Sequence, residues 1–389
     1  MKGKLLIDCL GVLVGQQRGA ERFICRLTKE LAVVAPETFA VLVNRHSAEY
    51  FVRTLGREHC IVLPISGRSR VLRMLVQMTF GPVVTRLLRP RLYVSSSVFP
   101  TVGFACPTAA FLYDLMMYHF PEIVSPLEWE LRAALLRLSL PHLDAIFTIS
   151  GASAKDIRAR FGAACIGPVH VVPCGTDPCV DQRGYDAADA SILGELELDG
   201  RPFVLSVLGG KTYKNQSGLA AAAAELARRG RPIEIVVVGD AVRVFQRLAC
   251  PLNLRVLGVV SDQVLATLYR SARALVFPTF SEGFGLPVIE AQAAGLVVVC
   301  SDVPVLREVG GEGAIYVDPH SPEVIADGIQ RALEDAVLRT ELIARGRENA
   351  ARFTWRRAAE AFLAACDETA HRGAGDTPAW PADTPIPRT

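Results

Sequence analysis

The sequence predicts an α/β protein of two domains, each a parallel sheet covered on both faces by helices. Three observations lead there. The chain has 389 residues, and at roughly 100–200 residues per domain this implies about two domains, each large enough to bury a core without disulfide or metal staples. Short apolar runs alternate with helical patterns through the second half, as strands joined by crossover helices do. The halves also differ in charge: residues 1–175 hold 20 basic and 12 acidic side chains, against 22 basic and 28 acidic in residues 176–389. Such a split fits two domains with different partners.

In the first half, strands are expected at residues 4–10, 40–44, 60–63, 92–94, 109–113 and 145–149. The opening MKGKLLIDCLGVLVG imitates a short signal peptide, but Asp8 interrupts the apolar run and no small-residue cleavage site follows, so it reads as a first buried strand. The second half places strands at 203–208, 233–238, 254–259, 274–277 and 297–300, with an Ala-rich helix from Gly218. Between the halves, the Gly, Pro and Asp content of residues 175–202 marks a linker with one short helix. From His371 the chain is Pro-rich and lacks apolar periodicity, so a disordered tail is expected.

Half of the residues are hydrophobic and 21% are charged, outside the compositions that stay disordered. The net charge of +2 argues against a nucleic-acid binder held by global phosphate attraction. The ten cysteines are scattered and never spaced as CxxC. They read as small buried hydrophobes in a reducing compartment, and no apolar stretch reaches the 18 or so residues of a membrane-spanning helix. A cytoplasmic protein is expected.

The most informative stretch is FPTFSEGFGLPVIEAQAAG, residues 277–295. After the strand ending near Phe277, a loop of Ser281, Glu282, Gly283, Phe284, Gly285 and Leu286 leads to Pro287, pre-set for a first helical turn, and Gly295 suits the C-terminal cap. Glycines let backbone approach a ligand closely, and the amides at a helix start favour a phosphate. Glu282 and Glu290 would flank that phosphate. Two anions beside an anion site are useful where they accept hydrogen bonds from the hydroxyls of a sugar or ribose.

This segment resembles the E-x7-E signature of retaining GT-B glycosyltransferases, in particular glycosyltransferase family 4. The resemblance extends over nearly the whole chain: RGAERF at 18–23, VVPCGTD at 171–177, TYKN at 212–215, GVVSDQVLATLYRSARALVFPT at 258–279, SDVPVLREVGGEGAIYVDP at 301–319 and FTWRRAAEAF at 353–362. It implies a GT-B fold, two Rossmann-like domains facing across a cleft. Residues 1–175 would be the acceptor-binding domain and 176–352 the nucleotide-sugar domain. A helix over 353–370 would cross back to the first domain, with 371–389 as the tail.

By the same resemblance, Glu282 contacts the donor sugar near the transferring centre and Glu290 accepts the ribose hydroxyls. Gly283, Phe284, Gly285 and Leu286 present backbone groups to sugar and phosphate. Lys214 neutralises the diphosphate as the glycosidic bond breaks, with Gly19 letting a first-domain loop approach the same phosphate. The base lies near Val260 and Ser261, and Asp114 lines the site. No metal or cofactor is implied, the nucleotide sugar being a substrate. The chain departs from the family pattern in three places. Gly209 stands where many relatives have Arg, with Lys211 as a substitute. Tyr113 stands where a His is common, and Arg18 where a second glycine is common.

Residues 59–113 contain no Asp or Glu and six arginines, and VLRMLVQMTFGPVVTRLLRPRL within them mixes apolar and basic residues as an interfacial helix does. The reading is a hexosyltransferase peripheral on the inner face of the plasma membrane, drawn to anionic lipid. It would use a nucleotide sugar, GDP-mannose or a GDP-deoxyhexose before a UDP-hexose, and a lipid-linked or glycan acceptor. Other readings on the same architecture are a nucleotide-sugar epimerase, a phosphorylase, disfavoured by length, or a non-catalytic nucleotide-sugar-binding subunit.

Overall fold

The computed structural model describes residues 3–15, 19–99, 101–162, 167–176, 186–248 and 250–372. They form two compact units, one comprising the chain to Gly175 with the segment from Trp355, the other Thr176–Thr354.

In the first unit, β1 (Leu5–Asp8), β2 (Phe39–Asn44), β3 (Cys60–Leu63), β4 (Leu92–Ser95), β5 (Thr108–Phe111), β6 (Ala145–Thr148) and β7 (Val169–Val171) form one sheet in the order β3-β2-β1-β4-β5-β6-β7. Every pairing is parallel. Parallel sheets are covered on both faces, which demands near-continuous apolar strands, and β1, β2, β4, β5 and β6 are buried at every position. Asp8, which interrupts the first apolar run, is buried too. Its carboxylate accepts from the Leu10 amide at 2.7 Å, from the Gln77 side chain at 2.6 Å and from the Tyr93 hydroxyl. Burial pushes its carboxyl pKa up.

The helices of this unit are α1 (Gly19–Val34), α2 (Ala48–Leu55), α3 (Arg70–Leu88), α4 (Met116–His119), α5 (Pro126–Ser139) and α6 (Gly151–Phe161). The last helix of the chain, α15 (Trp355–Arg372), belongs to this unit and packs along α1. Its Phe362 stacks on Phe111 and meets Phe147 edge-on, with centroids 6.0 and 5.5 Å apart. Phe23 of α1 reaches the same cluster, 5.2 Å from Phe111. The helix continues through His371 and Arg372, where the sequence suggested a tail. Its last turn is held by the Thr369 hydroxyl donating to the Ala365 carbonyl at 2.7 Å. Residues 373–389 of the expected tail lie outside the described residues.

In the second unit, β8 (Phe203–Val207), β9 (Glu234–Val238), β10 (Leu254–Gly258), β11 (Ala274–Phe277), β12 (Val297–Ser301) and β13 (Ala314–Val317) form a parallel sheet in the order β10-β9-β8-β11-β12-β13. Its helices are α7 (Ala187–Glu195), α8 (Gln216–Arg228), α9 (Val242–Phe245), α10 (Asp262–Ser271), α11 (Leu286–Ala293), α12 (Pro304–Gly310), α13 (Pro322–Glu334) and α14 (Ala336–Ala350). α7 is the short linker helix. A reciprocal capping box of Asp186 and Asp189 starts it, and it is tied to α10 by Asp189 accepting from Thr267 and Arg270. The eight described cysteines form no disulfide, and six of them are buried. Among the described residues no helix is long and apolar enough to cross a membrane.

Phe362 is fully buried, so Phe362→Ala removes a large side chain from the first unit's aromatic cluster. The expected cost is about 3–5 kcal/mol. Chemical denaturation should show it as a lower midpoint with the far-ultraviolet dichroism of the native state retained.

Candidate functional site

β8 and β11 are neighbours, with Leu205 opposite Leu275, yet the chain leaves β8 toward β9 and β10 and leaves β11 toward β12 and β13. Right-handed crossovers carry α8 and α11 to opposite faces, so the loops after the two strands diverge. In open parallel sheets, ligands bind in the crevice beyond the carboxyl ends at such a switch point. The loop after β8 ends in Tyr213 and Lys214, and the loop after β11 contains Glu282.

The Lys214 ammonium donates to both carboxylate oxygens of Glu282, at 2.7 and 3.0 Å. The side chains are only 18% and 9% exposed, which strengthens their attraction over that of a surface pair. The ammonium also lies 5.3 Å from the Tyr213 ring centroid and 5.4 Å from that of Phe277, within cation–π range. A backbone bond from the Phe280 amide to the Tyr213 carbonyl, 2.8 Å, fixes the two loops to each other.

Asn215 holds the arrangement from below. It adopts a left-handed conformation, φ 56°, tolerated by Asn more than by most residues, and caps α8 by accepting from the Gly218 amide at 3.1 Å. Its buried amide donates to the carbonyls of Pro278 and Pro319 at 2.8 and 2.7 Å. One side chain thus joins the ends of β8, β11 and β13. Gln216 adds two bonds, to the carbonyls of Gly209 and Lys211 at 2.6 and 2.9 Å, shaping the loop that carries Lys211, whose side chain is exposed.

On the other side of the switch point, Gly285 is the N-cap of α11 with φ 97°. A Cβ there would lie 2.5 Å from a Leu306 methyl, so both conformation and space require glycine. Phe284 is turned inward against Phe353, ring centroids 5.7 Å apart. Gly283 is buried, and Leu286 and Pro287 begin α11. The eight-residue helix directs its dipole's positive end to the same loop.

Glu290, one turn into α11, is 1% exposed and accepts from the Tyr269 hydroxyl at 2.9 Å. Tyr269 projects from α10, the helix that follows Val260 and Ser261. The Ser261 hydroxyl caps that helix, accepting from the Val264 amide at 3.3 Å, and β10 before it is an edge strand two positions from β8. Val260 and Ser261 are therefore set apart from Lys214 and Glu282, and α10 links them to Glu290.

Gly19 and Asp114 belong to the first unit. Gly19 starts α1, and a side chain there would meet no atom of the described residues within 4 Å. Arg18 before it lies outside the described residues. Asp114 accepts from the Met116 amide at 2.9 Å, in the turn that leads into the short α4. Tyr113 is a core aromatic, stacked on Phe111 and edge-on to Phe23. Burial drives its hydroxyl pKa well up, so the phenol stays neutral. His119 pairs with Asp156 at 2.6 Å on the surface.

Sequence reasoning missed Asn215, Gln216 and Tyr269 as organisers. Asn215 carries a local signal, an N-cap residue directly before the Ala-rich helix. Tyr269 carries none, because its partner is 21 residues away. Asn215→Asp keeps the shape and replaces a donor with an acceptor facing two carbonyls. The expected loss is about 2–4 kcal/mol, read as a lower denaturation midpoint.

Residues 192–349 match the family model described as glycosyl transferases group 1. The O-antigen chain mannosyltransferase B of Escherichia coli is 43% identical over 102 residues, which are 26% of this chain and 27% of that protein. The chain thus matches well under two thirds of this relative's length. Among solved structures, sucrose-phosphate synthase from Thermosynechococcus elongatus superposes with a TM-score of 0.71 at 20% identity, covering 95% of this chain and 99% of that one. Anabaena HepE in complex with UDP-glucose gives 0.70 at 17% identity, covering 94% and 99%. The chain therefore has the GT-B fold, and its residues 192–349 are similar to the group 1 glycosyl transferases.

Proposed function

We propose that the protein is a retaining hexosyltransferase of glycosyltransferase family 4. It would move a hexose from a nucleotide sugar to a lipid-linked or polysaccharide acceptor in cell-surface glycan synthesis. The observation that carries the reading is the Lys214–Glu282 pair at the switch point of the second sheet, beside the glycine-capped start of α11. The name of the E. coli relative, an O-antigen chain mannosyltransferase, favours GDP-mannose or a GDP-deoxyhexose as donor. HepE, of the same fold, was solved with UDP-glucose, so UDP-hexoses are the next class.

On this reading the donor's diphosphate lies against the Gly283–Leu286 backbone and takes up the Lys214 ammonium, with Lys211 at the loop's outer side. An ammonium has three donors, so it holds a phosphate oxygen while keeping one bond to Glu282. Glu282 then accepts from a sugar hydroxyl and lies beside the anomeric carbon as positive charge develops there. Transfer replaces the bond from the anomeric carbon to the phosphate oxygen with one to the acceptor oxygen, and the acceptor's proton leaves with the diphosphate or solvent. Lys214 and the α11 dipole supply the positive charge that stabilises the leaving group, and no cofactor is proposed. Tyr269 orients the Glu290 carboxylate toward the ribose, and the base lies by Val260 and Ser261.

Glu282→Gln removes the carboxylate that competes with phosphate for Lys214. Nucleoside diphosphate binding should hold or tighten while transfer falls by about 10²–10³-fold. Lys214→Met should weaken binding of the same diphosphate about tenfold or more. Calorimetry with GDP and UDP, beside product analysis with GDP-mannose and a polyprenyl-diphosphate glycan, separates the two effects. Unchanged turnover in Glu282→Gln contradicts the reading, and donor conversion without acceptor points to an epimerase. Gly209 offers a further probe, because a Cβ there meets no atom within 4 Å. Gly209→Arg should leave the melting temperature unchanged and tighten diphosphate binding, as titration would reveal.

A further inference from the structure

Neighbouring residues of α10 have partners on two different helices. The Tyr269 hydroxyl donates to Glu290 of α11 at 2.9 Å. Thr267 and Arg270, three residues apart and so on one face of the helix, turn instead to Asp189 of α7. The Thr267 hydroxyl donates to that carboxylate at 2.5 Å, and the Arg270 guanidinium donates through Nε at 3.0 Å and through a second nitrogen to the other oxygen. At about 3.6 residues per turn, Tyr269 lies roughly 100–160° round the helix from these two. α10 is thus held from two sides, by α7 and by α11.

The hold from α7 has a fixed direction. Asp189 is 1% exposed, and a carboxylate desolvated to this degree needs well-placed partners to offset its burial. Besides Thr267 and Arg270, it accepts from the Asp186 amide at 3.3 Å, closing the capping box that starts α7. The Arg270 hydrogen bonds keep its carboxyl below the usual carboxylate range, so it is ionised at neutral pH. A planar guanidinium meeting a carboxylate with two bonds fixes orientation as well as distance, whereas an apolar contact would allow α10 to turn. Such a turn matters because a small rotation about the helix axis is magnified at the far end of a tyrosine, and a hydrogen bond weakens steeply as its angle closes.

We infer that Asp189 is a positioning residue: through Thr267 and Arg270 it sets the rotation of α10, and through Tyr269 the direction in which Glu290 presents its carboxylate to the ribose hydroxyls. The inference rests on the nucleotide-sugar reading of the site, which gives Glu290 a ribose to meet. The short linker helix then acts on the donor site through α10.

Calorimetry on the full chain with GDP, UDP and their dideoxyribose analogues tests this, because the ratio of affinities within each pair isolates the hydroxyl contacts. The native chain should favour the ribose form about tenfold or more. Asp189→Asn and Tyr269→Phe should each cut that preference to about threefold or less while affinity for the dideoxy form holds, and the double variant should do no more than either change alone. A purely structural role would lower all affinities together and leave the ratio where it was. Thr267→Val, which removes one donor and keeps the Arg270 pair, should lower the ratio by a smaller factor, and it decides the question if Asp189→Asn does not fold. An unchanged ratio in folded Asp189→Asn, or otherwise in Thr267→Val, overturns the inference. Glu290→Gln separates the two claims. A preference lost in Glu290→Gln but kept in Asp189→Asn removes the positioning role alone, whereas a native chain indifferent to the hydroxyls removes the ribose assignment and this inference together.

Discussion

β8 and β11 share a sheet edge to edge while their chains depart in opposite directions, and the candidate site rests on that divergence. A parallel strand must be followed by a crossover, and the crossover handedness is nearly invariant. At every other junction of the second sheet one loop passes over its neighbour's end. Only between β8 and β11 do both loops turn away, leaving backbone groups and side chains facing an open gap. That the loop with the lysine and the loop with the glutamate border the same gap is a consequence of strand order, β10-β9-β8-β11-β12-β13.

Divergent loops lack the helix or strand ladder that would satisfy their backbone, so side chains must do it. Asn215 and Gln216 supply four donated bonds to carbonyls of the loops they support. These residues are 2% and 3% exposed, and a buried carbonyl left without a donor would cost about 1–3 kcal/mol. Rigidity of this kind is what holds Lys214 and Glu282 at hydrogen-bond distance. A constellation built on loops loses its geometry unless a supporting shell fixes it.

The strands with strong apolar runs were legible from sequence: residues 60–63 and 274–277 match β3 and β11, and most others differ by one or two positions. β7 and β13 were not: β7 has three residues interrupted by His170, and β13 falls in a segment that was read only as part of the family pattern. The helix over 353–370 was read from its motif, and the structure carries it two residues further, to Arg372. At the site, Glu282, Glu290 and the glycine loop were visible because their spacing is local. The pairing of Lys214 with Glu282 spans 68 residues and exists only once the two strands are neighbours. At a strand end Tyr113 reads equally as a group that orients an acceptor or as a packed aromatic, and its contacts with Phe111 and Phe23 favour the second.

If the switch point takes a diphosphate as proposed, the Lys214–Glu282 pair also explains how an anion site tolerates a carboxylate. Desolvating two charges generally costs more than their attraction returns unless geometry and surroundings are favourable, so a nearly buried pair is weak evidence for a stabilising role. Its value is electrostatic. Without ligand, Glu282 keeps the ammonium from being buried alone beside Phe277 and Tyr213. On the proposed reading, an approaching diphosphate offers the ammonium a stronger, doubly charged acceptor within reach of the same position, and the carboxylate is released toward hydroxyl groups. On that reading, a carboxylate that first shields the cation and then accepts from the sugar serves both states, whereas an apolar residue at 282 would leave the lysine exposed to desolvation in one of them and offer nothing to the substrate in the other.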